Sequence, residues 1–326
     1  MKSKKQMDEM VNNSIRREFN KAQEILLVCH LRPDGDAIGS LIGLGLALET
    51  AGKTIGLVSV DGVPSTYKFL KGMEKIKQTA IENYDLIVAI DCSDRQRIGL
   101  KEYLDRPIIN IDHHATNNRY GTINCVNPKA AATAEIIAEN ISDWGLSYNK
   151  DIAAALLTGI ITDTIGFRTS NVTSRTLNLA ADLMSFGADI SDIYRRALVS
   201  RSFEAVRYWG AGLNKLHKQD SLVWTSLTLE DQKKTGYSGK DDADLINVLS
   251  SIEGVMISII FIEQPEGGVK VSWRSQPEYD VSKIAMEFGG GGHAAAAGAM
   301  FDKNLKEVQE IVIRETQKLL VNKQHS

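Results

Sequence analysis

Cysteine is scarce: the 326 residues hold three, Cys29, Cys92 and Cys125, and no Cys-x-x-Cys pair. An odd, dispersed set argues against a disulfide framework and a thiolate zinc site, and points to a reducing cytoplasm. Long apolar runs are missing too. The longest, AAALLTGIIT and GVMISIIFI, fall far short of the roughly 18 residues that a membrane span needs. Behind the basic first residues, MDEMVNNSIRREFNKA is charged and amphipathic, without the apolar core of a secretion signal. A soluble chain is expected, with no membrane partner. Nor is there an excess of positive charge. The formal charge of −3 excludes the broad basic field that wraps long duplex nucleic acid, so an anionic substrate has to be captured locally. No repeat period and no low-complexity tract interrupts the chain.

What is present is enough for two hydrophobic cores, since 43% of the residues are hydrophobic and domains run about 100 to 200 residues. Between 24 and 190, short apolar segments (EILLVC, TIGLVSV, DLIVAI, PIINI) are separated by helix-length stretches. This alternation predicts an α/β domain, residues 1–190, with a mostly parallel sheet and helices on both faces. The helical pattern SDIYRRALVSRSFEAVRYWGAGLNKLH marks a connector over 191–217. A smaller α/β domain follows over 218–326, with strands in SLVWTSL, GVMISIIFI and GVKVSWRS and helices near 241–252, 281–287 and 304–320. Ligands of parallel sheets sit outside the carboxyl ends of the strands, and a cleft between two unequal lobes is the expected site.

The unusual residues fall at such ends. CHLRPDGDAIGS carries His30, Asp34 and Asp36; LIVAIDCSD carries Asp91; IINIDHHATN carries Asp112, His113 and His114; LLTGIITDTIGF carries Asp163. Taken singly, each has an ordinary reading: an aspartate after a strand caps a helix or forms a turn, Asp36 capping the helix that follows, and a lone histidine sits satisfied in a core. Together they do not. If the strands pair in one sheet the carboxylates converge, and two charges about 4 Å apart repel by roughly 4 kcal/mol at an effective dielectric near 20. Of the basic side chains only Arg32, before Pro33, lies inside these segments. Neutral imidazole with carboxylate oxygens suits divalent cations, and one aspartate between two ligand sets suits a pair of them. The donor mixture favours Mn²⁺ ahead of Mg²⁺, with Co²⁺ or Fe²⁺ as alternatives, and disfavours Ca²⁺. Such a pair clamps displacement at phosphorus, and phosphoester hydrolysis is the reaction class expected.

HLRPDGDAIGS, Asp91 after a strand, DHH, Asp163 and then GGGGHAAAAGA, in this order and spacing, resemble the DHH phosphoesterase superfamily with a C-terminal DHHA1 domain. Length and two-domain plan are similar to the nanoRNase type, the bifunctional oligoribonucleases and 3′-phosphoadenosine-5′-phosphate phosphatases. The resemblance implies that His30, Asp34 and Asp91 bind one Mn²⁺ while Asp36, Asp91, His113 and Asp163 bind the other, with Asp91 as the bridge. It further implies that His114 contacts the scissile phosphate and that Asp112 orients the histidine pair. The glycine motif departs from the usual pattern by running into four alanines.

In the second domain, the glycines Gly290, Gly291 and Gly292 let backbone N–H groups approach an anion, and His293 adds a hydrogen bond or a stack. No Gly-Lys-Ser/Thr follows, so this is not a Walker loop. Arg274, ending a strand, is placed to clamp a terminal phosphate, with Ser275 beside it. Gly39 and Gly43 are read as sites of close helix packing, and Arg97 and Arg168 as open to a substrate or a surface role. With one small substrate lobe and no long basic channel, short single-stranded oligonucleotides or nucleotides are the expected substrates; a homodimer is compatible with the resemblance. A manganese pyrophosphatase, a cyclic dinucleotide phosphodiesterase and, from another class, a non-hydrolytic nucleotide-binding module are the rival readings.

Overall fold

A computed structural model describes residues 4–80, 84–100 and 108–324, and the chain divides into two compact units, Met1–Ser200 and Arg201–Ser326. The first unit begins with helix α1 (Lys4–Lys21), strand β1 (Glu24–Cys29), α2 (Gly35–Thr50), β2 (Thr54–Val58), β3 (Ile76–Lys77), β4 (Leu86–Ile90), β5 (Ile108–Asp112) and β6 (Ile123–Val126). All six strands are parallel, in the order β3-β2-β1-β4-β5-β6. The central strands are buried along nearly their whole length because ILLVC, LIVAI and IINID are near-continuous apolar runs, as a parallel sheet covered on both faces requires. The outer strands β3 and β6 are short and half-buried, and no apolar run announces them.

Helices α3 (Thr133–Asn140), α4 (Lys150–Asp163), α5 (Ser174–Ser185) and α6 (Ile190–Tyr194) complete the unit, which ends in a π-helical turn, Arg195–Val199. Alternate residues of β1 face opposite ways. Leu27 and Cys29 join the helices around Ile38, Leu41, Leu156 and Ile160, while Leu26 and Val28 meet Ile87, Ala89 and Ile98, the last from a 3₁₀ turn over Gln96–Ile98. Helices α2 and α4 touch through glycine: a Cβ on Gly39 would stand 2.4 Å from the Ala155 carbonyl oxygen and 2.8 Å from the Gly159 nitrogen.

One charged group in this unit carries a pH-dependent part of stability. Glu139 of α3 pairs with Arg175 of α5, yet burial pushes its carboxyl up to about 7 against the pull of Arg175. The folded chain therefore holds this proton more tightly than the unfolded one. The residue's favourable contribution is complete below its ordinary value of 4.5 and is lost as pH rises through about 7. Glu139→Gln should match the wild type near pH 4 and exceed its stability by about 1–3 kcal/mol above pH 7, which urea unfolding at acid and alkaline pH measures.

The second unit contains α7 (Phe203–Leu213), β7 (His217–Gln219), β8 (Leu222–Leu227), α8 (Leu229–Thr235), α9 (Leu245–Leu249), β9 (Ile257–Glu263), β10 (Val269–Ser275), α10 (Val281–Glu287), β11 (Gly291–His293), β12 (Ala296–Phe301) and α11 (Leu305–Gln324). Its sheet runs β11-β12-β10-β9-β8-β7, antiparallel except for β8 with β9. Phe261, Val271, Trp273, Val308 and Val312 form the core on one face, and Tyr208, Leu227, Leu245, Ile260 and Ile262 on the other. The helix expected over 241–252 shortens to α9 because Ala243 and Asp244 take left-handed backbone angles, φ 52° and 68°. Among the described residues no helix is long and apolar enough to cross a membrane.

Candidate metal centre

The strand order makes β1 and β4 neighbours whose connections leave in opposite directions, the point where a doubly wound sheet opens a crevice. Cys29 lies opposite Ile90 and Ile90 opposite Ile111, so the carboxyl ends of β1, β4 and β5 stand side by side. His30 follows the first, Asp91 the second, and Asp112, His113 and His114 close the third. Asp91 turns there with φ 58°, a left-handed conformation that non-glycine residues seldom adopt. Asp34 caps α2, its Oδ1 accepting from the amides of Asp36 and Ala37 at 3.0 Å each. The cap is therefore Asp34 and not Asp36, which is the second residue of the helix and is 1% exposed. Asp36 accepts from the first amides of α3, Thr133 at 2.6 Å and Ala134 at 2.9 Å, and from Ser40 Oγ at 3.1 Å. Asp163 ends α4.

These placements bring the sequence-predicted side chains into three overlapping groups, His30–Asp34–Asp91, Asp36–His113–Asp163 and, between them, Asp91–His113–His114, each with its ligand atoms within 4.8 Å of one another. His30 Nε2 stands 3.4 Å from Asp91 Oδ2 and 3.9 Å from Asp34. His113 Nε2 stands 3.6 Å from Asp163, 3.8 Å from Asp91 Oδ1 and 4.0 Å from Asp36. Asp91 thus faces both histidines, one with each oxygen. In both rings Nδ1 meets a backbone carbonyl, Leu31 at 2.8 Å and Ala130 at 3.4 Å; a proton on Nδ1 leaves the Nε2 lone pair toward the carboxylates. His114 is turned otherwise, its Nδ1 2.7 Å from Asp112 Oδ1. Asp112 therefore bonds His114 and not the pair, because the Ala130 carbonyl takes Nδ1 of His113. Arg97, from the loop after β4, packs its guanidinium beside the His30 ring, Nη2 3.2 Å from an Nδ1 whose proton goes to the nearer Leu31 carbonyl, whereas Arg168 is exposed.

The charges are unbalanced as they stand. Burial opposes protonation of His30 and His113, but the neighbouring carboxylates, Asp91 foremost, outweigh it and lift both to about 9. Burial, then Asp91 and Asp163, push Asp36 well above the carboxylate range; burial, then Asp34 and Asp91, push Asp163 up to about 7 against the pull of His113. Asp91 goes the other way, since the bond to His30 and the three histidine charges overcome its burial. Protons are recruited where positive charge is missing. A donor set of imidazole nitrogens and carboxylate oxygens that draws in positive charge fits divalent cations.

In the second unit, His293, Ala296, Arg274 and Ser258 lie opposite one another across β11, β12, β10 and β9, forming one row. The Arg274 guanidinium gives one bond to the Trp273 carbonyl, 3.1 Å, and makes no ion pair among the described residues. Burial lowers its pKa, while Asp242 and Asp244 oppose that shift. Ser275 is occupied elsewhere, its hydroxyl donating to the Tyr279 carbonyl at 2.7 Å. The glycines form the edge strand: a Cβ on Gly290 would meet Gly298 O at 2.2 Å and one on Gly292 (φ 143°) would meet Ala296 O at 2.4 Å, whereas Gly291 borders open space.

Residues 24–160 match the DHH family, N-terminal domain, and residues 221–318 match the DHHA1 domain. Over 292 residues the chain is 35% identical to the bifunctional oligoribonuclease and PAP phosphatase NrnA of Thermus thermophilus, covering 86% of each chain. The chain belongs to the DHH family. Among solved structures, an exopolyphosphatase-related protein from Bacteroides fragilis superposes with TM-score 0.87 at 29% identity, covering 95% of this chain and 97% of that one. RecJ of Thermus thermophilus, in complex with Mn²⁺, shares the fold with TM-score 0.54 at 12% identity, covering 94% of this chain and 53% of RecJ. DHH proteins are metal-dependent phosphoesterases.

Two polar residues of this DHH centre escape the sequence pattern. Thr133 donates its hydroxyl to Asp91 Oδ1 at 2.8 Å, and Asn117 brings its amide nitrogen to 2.5 Å from Asp112 Oδ2. Neither ends an apolar run. Their one signal is proximity in the chain, Asn117 three residues past His114 and Thr133 opening the helix after β6.

Proposed function

We propose that this protein hydrolyses phosphoester bonds of short oligonucleotides and of nucleotides such as 3′-phosphoadenosine 5′-phosphate. The reading is carried by one observation: carboxylates and histidines from three strand ends and two helices meet around Asp91. His30, Asp34 and Asp91 hold one divalent cation and Asp36, Asp91, His113 and Asp163 a second, with Mn²⁺ preferred and Mg²⁺ or Co²⁺ able to substitute. When bound, such cations lower the pKa of water and neutralise phosphate oxygens. The protein's own part is orientation. The Leu31 and Ala130 carbonyls aim the two liganding rings, Thr133 and His30 fix Asp91 from opposite sides, and Asp112 holds His114 with Nε2 toward the scissile phosphate. Within the second unit, Arg274 serves to grip a phosphate of the substrate, and His293 in the same row meets phosphate or base.

Release of mononucleotide from di- and trinucleotide RNAs, and of phosphate from 3′-phosphoadenosine 5′-phosphate, should require Mn²⁺ and stop on chelation. No release with metal, or release indifferent to chelator, defeats the reading. Arg274→Ala should raise KM for a phosphate-terminated substrate by about 10- to 100-fold, the worth of a charge-assisted bond of about 1.5–3 kcal/mol, with a smaller change in kcat. An unaltered KM would remove Arg274 from the substrate site.

A further inference from the structure

We infer that Asn117 is a positioning residue that sets, through Asp112, which nitrogen of His114 carries the proton. Asn117 lies in the turn after the DHH triplet, its own amide donating to the His114 carbonyl at 3.1 Å. The orientation of its side chain follows from a separate contact. Oδ1 accepts the Arg119 backbone N–H at 2.7 Å, and an N–H can only be met by the oxygen, so Nδ2 faces Asp112. Three acceptors surround that nitrogen: Asp112 Oδ2 at 2.5 Å, Asn110 Oδ1 at 2.7 Å and the Cys92 carbonyl at 3.1 Å. The shortest contact goes to the charged acceptor, as a charge-assisted bond should.

Asp112 is fully buried, and a carboxylate there persists only if donors satisfy it. It has one on each oxygen, Asn117 Nδ2 on Oδ2 and His114 Nδ1 on Oδ1 at 2.7 Å. Anchoring Oδ2 stops the carboxylate from rotating, so Oδ1 stays against the ring and holds the His114 proton on Nδ1. Nε2 is then left as the nitrogen presented to substrate. Asn110 and Asn117 both also bond the Cys92 carbonyl, the residue after Asp91, so the same amide ties the end of β4 to the end of β5.

The consequence for turnover rests on the phosphoesterase reading above; the consequence for the ring does not. Asn117→Asp preserves the acceptor for Arg119 while replacing the donor with a carboxylate oxygen, at the cost of a negative charge beside Asp112. Asn117→Ala, uncharged and without a donor, tests the same contact if the aspartate variant does not fold. In ¹⁵N-histidine spectra of the full-length, metal-free protein, recorded at a pH alkaline enough to leave the ring neutral, wild-type His114 should show a protonated Nδ1 and a bare Nε2, and the variants a mixture or the reverse. With Mn²⁺ and substrate, kcat should fall about 10- to 100-fold while KM changes by less than about threefold. An unchanged His114 signature in a folded variant overturns the proposal, as does a loss of kcat that tracks loss of Mn²⁺ binding in calorimetry. If the wild type hydrolyses no phosphoester, the function reading fails while the ring signature still decides this one.

Discussion

Asp91→Asn should lower kcat by about three orders of magnitude or more, equivalent to about 4 kcal/mol of lost transition-state stabilisation, without unfolding the protein. The substitution isolates charge. Asp91 sits at φ 58°, where asparagine is among the best-tolerated side chains, so the amide adds no backbone strain that alanine would bring. Size and one oxygen are kept. What disappears is the negative charge that faces His30 at 3.4 Å, His114 at 3.5 Å and His113 at 3.8 Å. Among the described side chains only this carboxylate lies within 4.0 Å of both His30 and His113, so under the proposed assignment both metal groups lose a ligand at once. Metal-free, the variant should be less stable than the wild type near neutral pH, because the bond to His30 and the three histidine charges that hold the Asp91 carboxylate below its ordinary value lose their shared partner. Mn²⁺ titration calorimetry, a thermal melt and single-turnover hydrolysis separate these effects. Normal turnover, or undiminished Mn²⁺ stoichiometry, would mean that Asp91 is not shared between two ions.

Much of this arrangement was legible from the chain alone, for a physical reason. In a parallel sheet all carboxyl ends lie on one edge, so apolar runs that stop at His30, Asp91 and Asp112 must deliver those residues to the same place once the strands are neighbours. The α/β class follows from the same runs. What stayed hidden depends on packing across the chain. Nothing in DHHATNN says that Asn117 reaches back to Asp112, and nothing in AATAEII says that the hydroxyl of Thr133 meets an aspartate 42 residues earlier. The choice between Asp34 and Asp36 as cap was equally closed to inspection. It depends on α3 approaching α2 and giving its first amides to Asp36. In the second unit, AAAAGAMF reads as small residues with no strand signal, yet Ala296–Phe301 pairs fully with β10; hydrogen bonding to Val269–Arg274 outweighs the weak intrinsic preference of alanine and glycine for strands.

The contact of α2 with α4 at Gly39 carries the second large effect. Gly39→Leu should prevent stable folding, and Gly39→Ala should cost about 2–4 kcal/mol and weaken Mn²⁺ binding, although alanine is the better helix former by about 1 kcal/mol. The atoms in the way are backbone: Ala155 O at 2.4 Å, Gly159 N at 2.8 Å and Gly159 Cα at 3.1 Å from the new Cβ. A side chain can rotate aside, but a helix backbone moves only as a body, so α4 must retreat from α2. Asp36 rides on α2 and Asp163 on α4, and His113 stands 4.0 Å from the one and 3.6 Å from the other. Separation of the helices therefore reaches the metal centre directly. Gly210 of α7 supplies the contrast: a Cβ there meets nothing within 4 Å, so Gly210→Ala should stabilise by about 0.5–1 kcal/mol through propensity and chain entropy alone. Denaturant unfolding with and without Mn²⁺ reads both variants. Equal effects at the two glycines would show that helix contact at Gly39 does not hold Asp36 and Asp163 in place; opposite signs, with metal binding lost at Gly39 only, would show that it does.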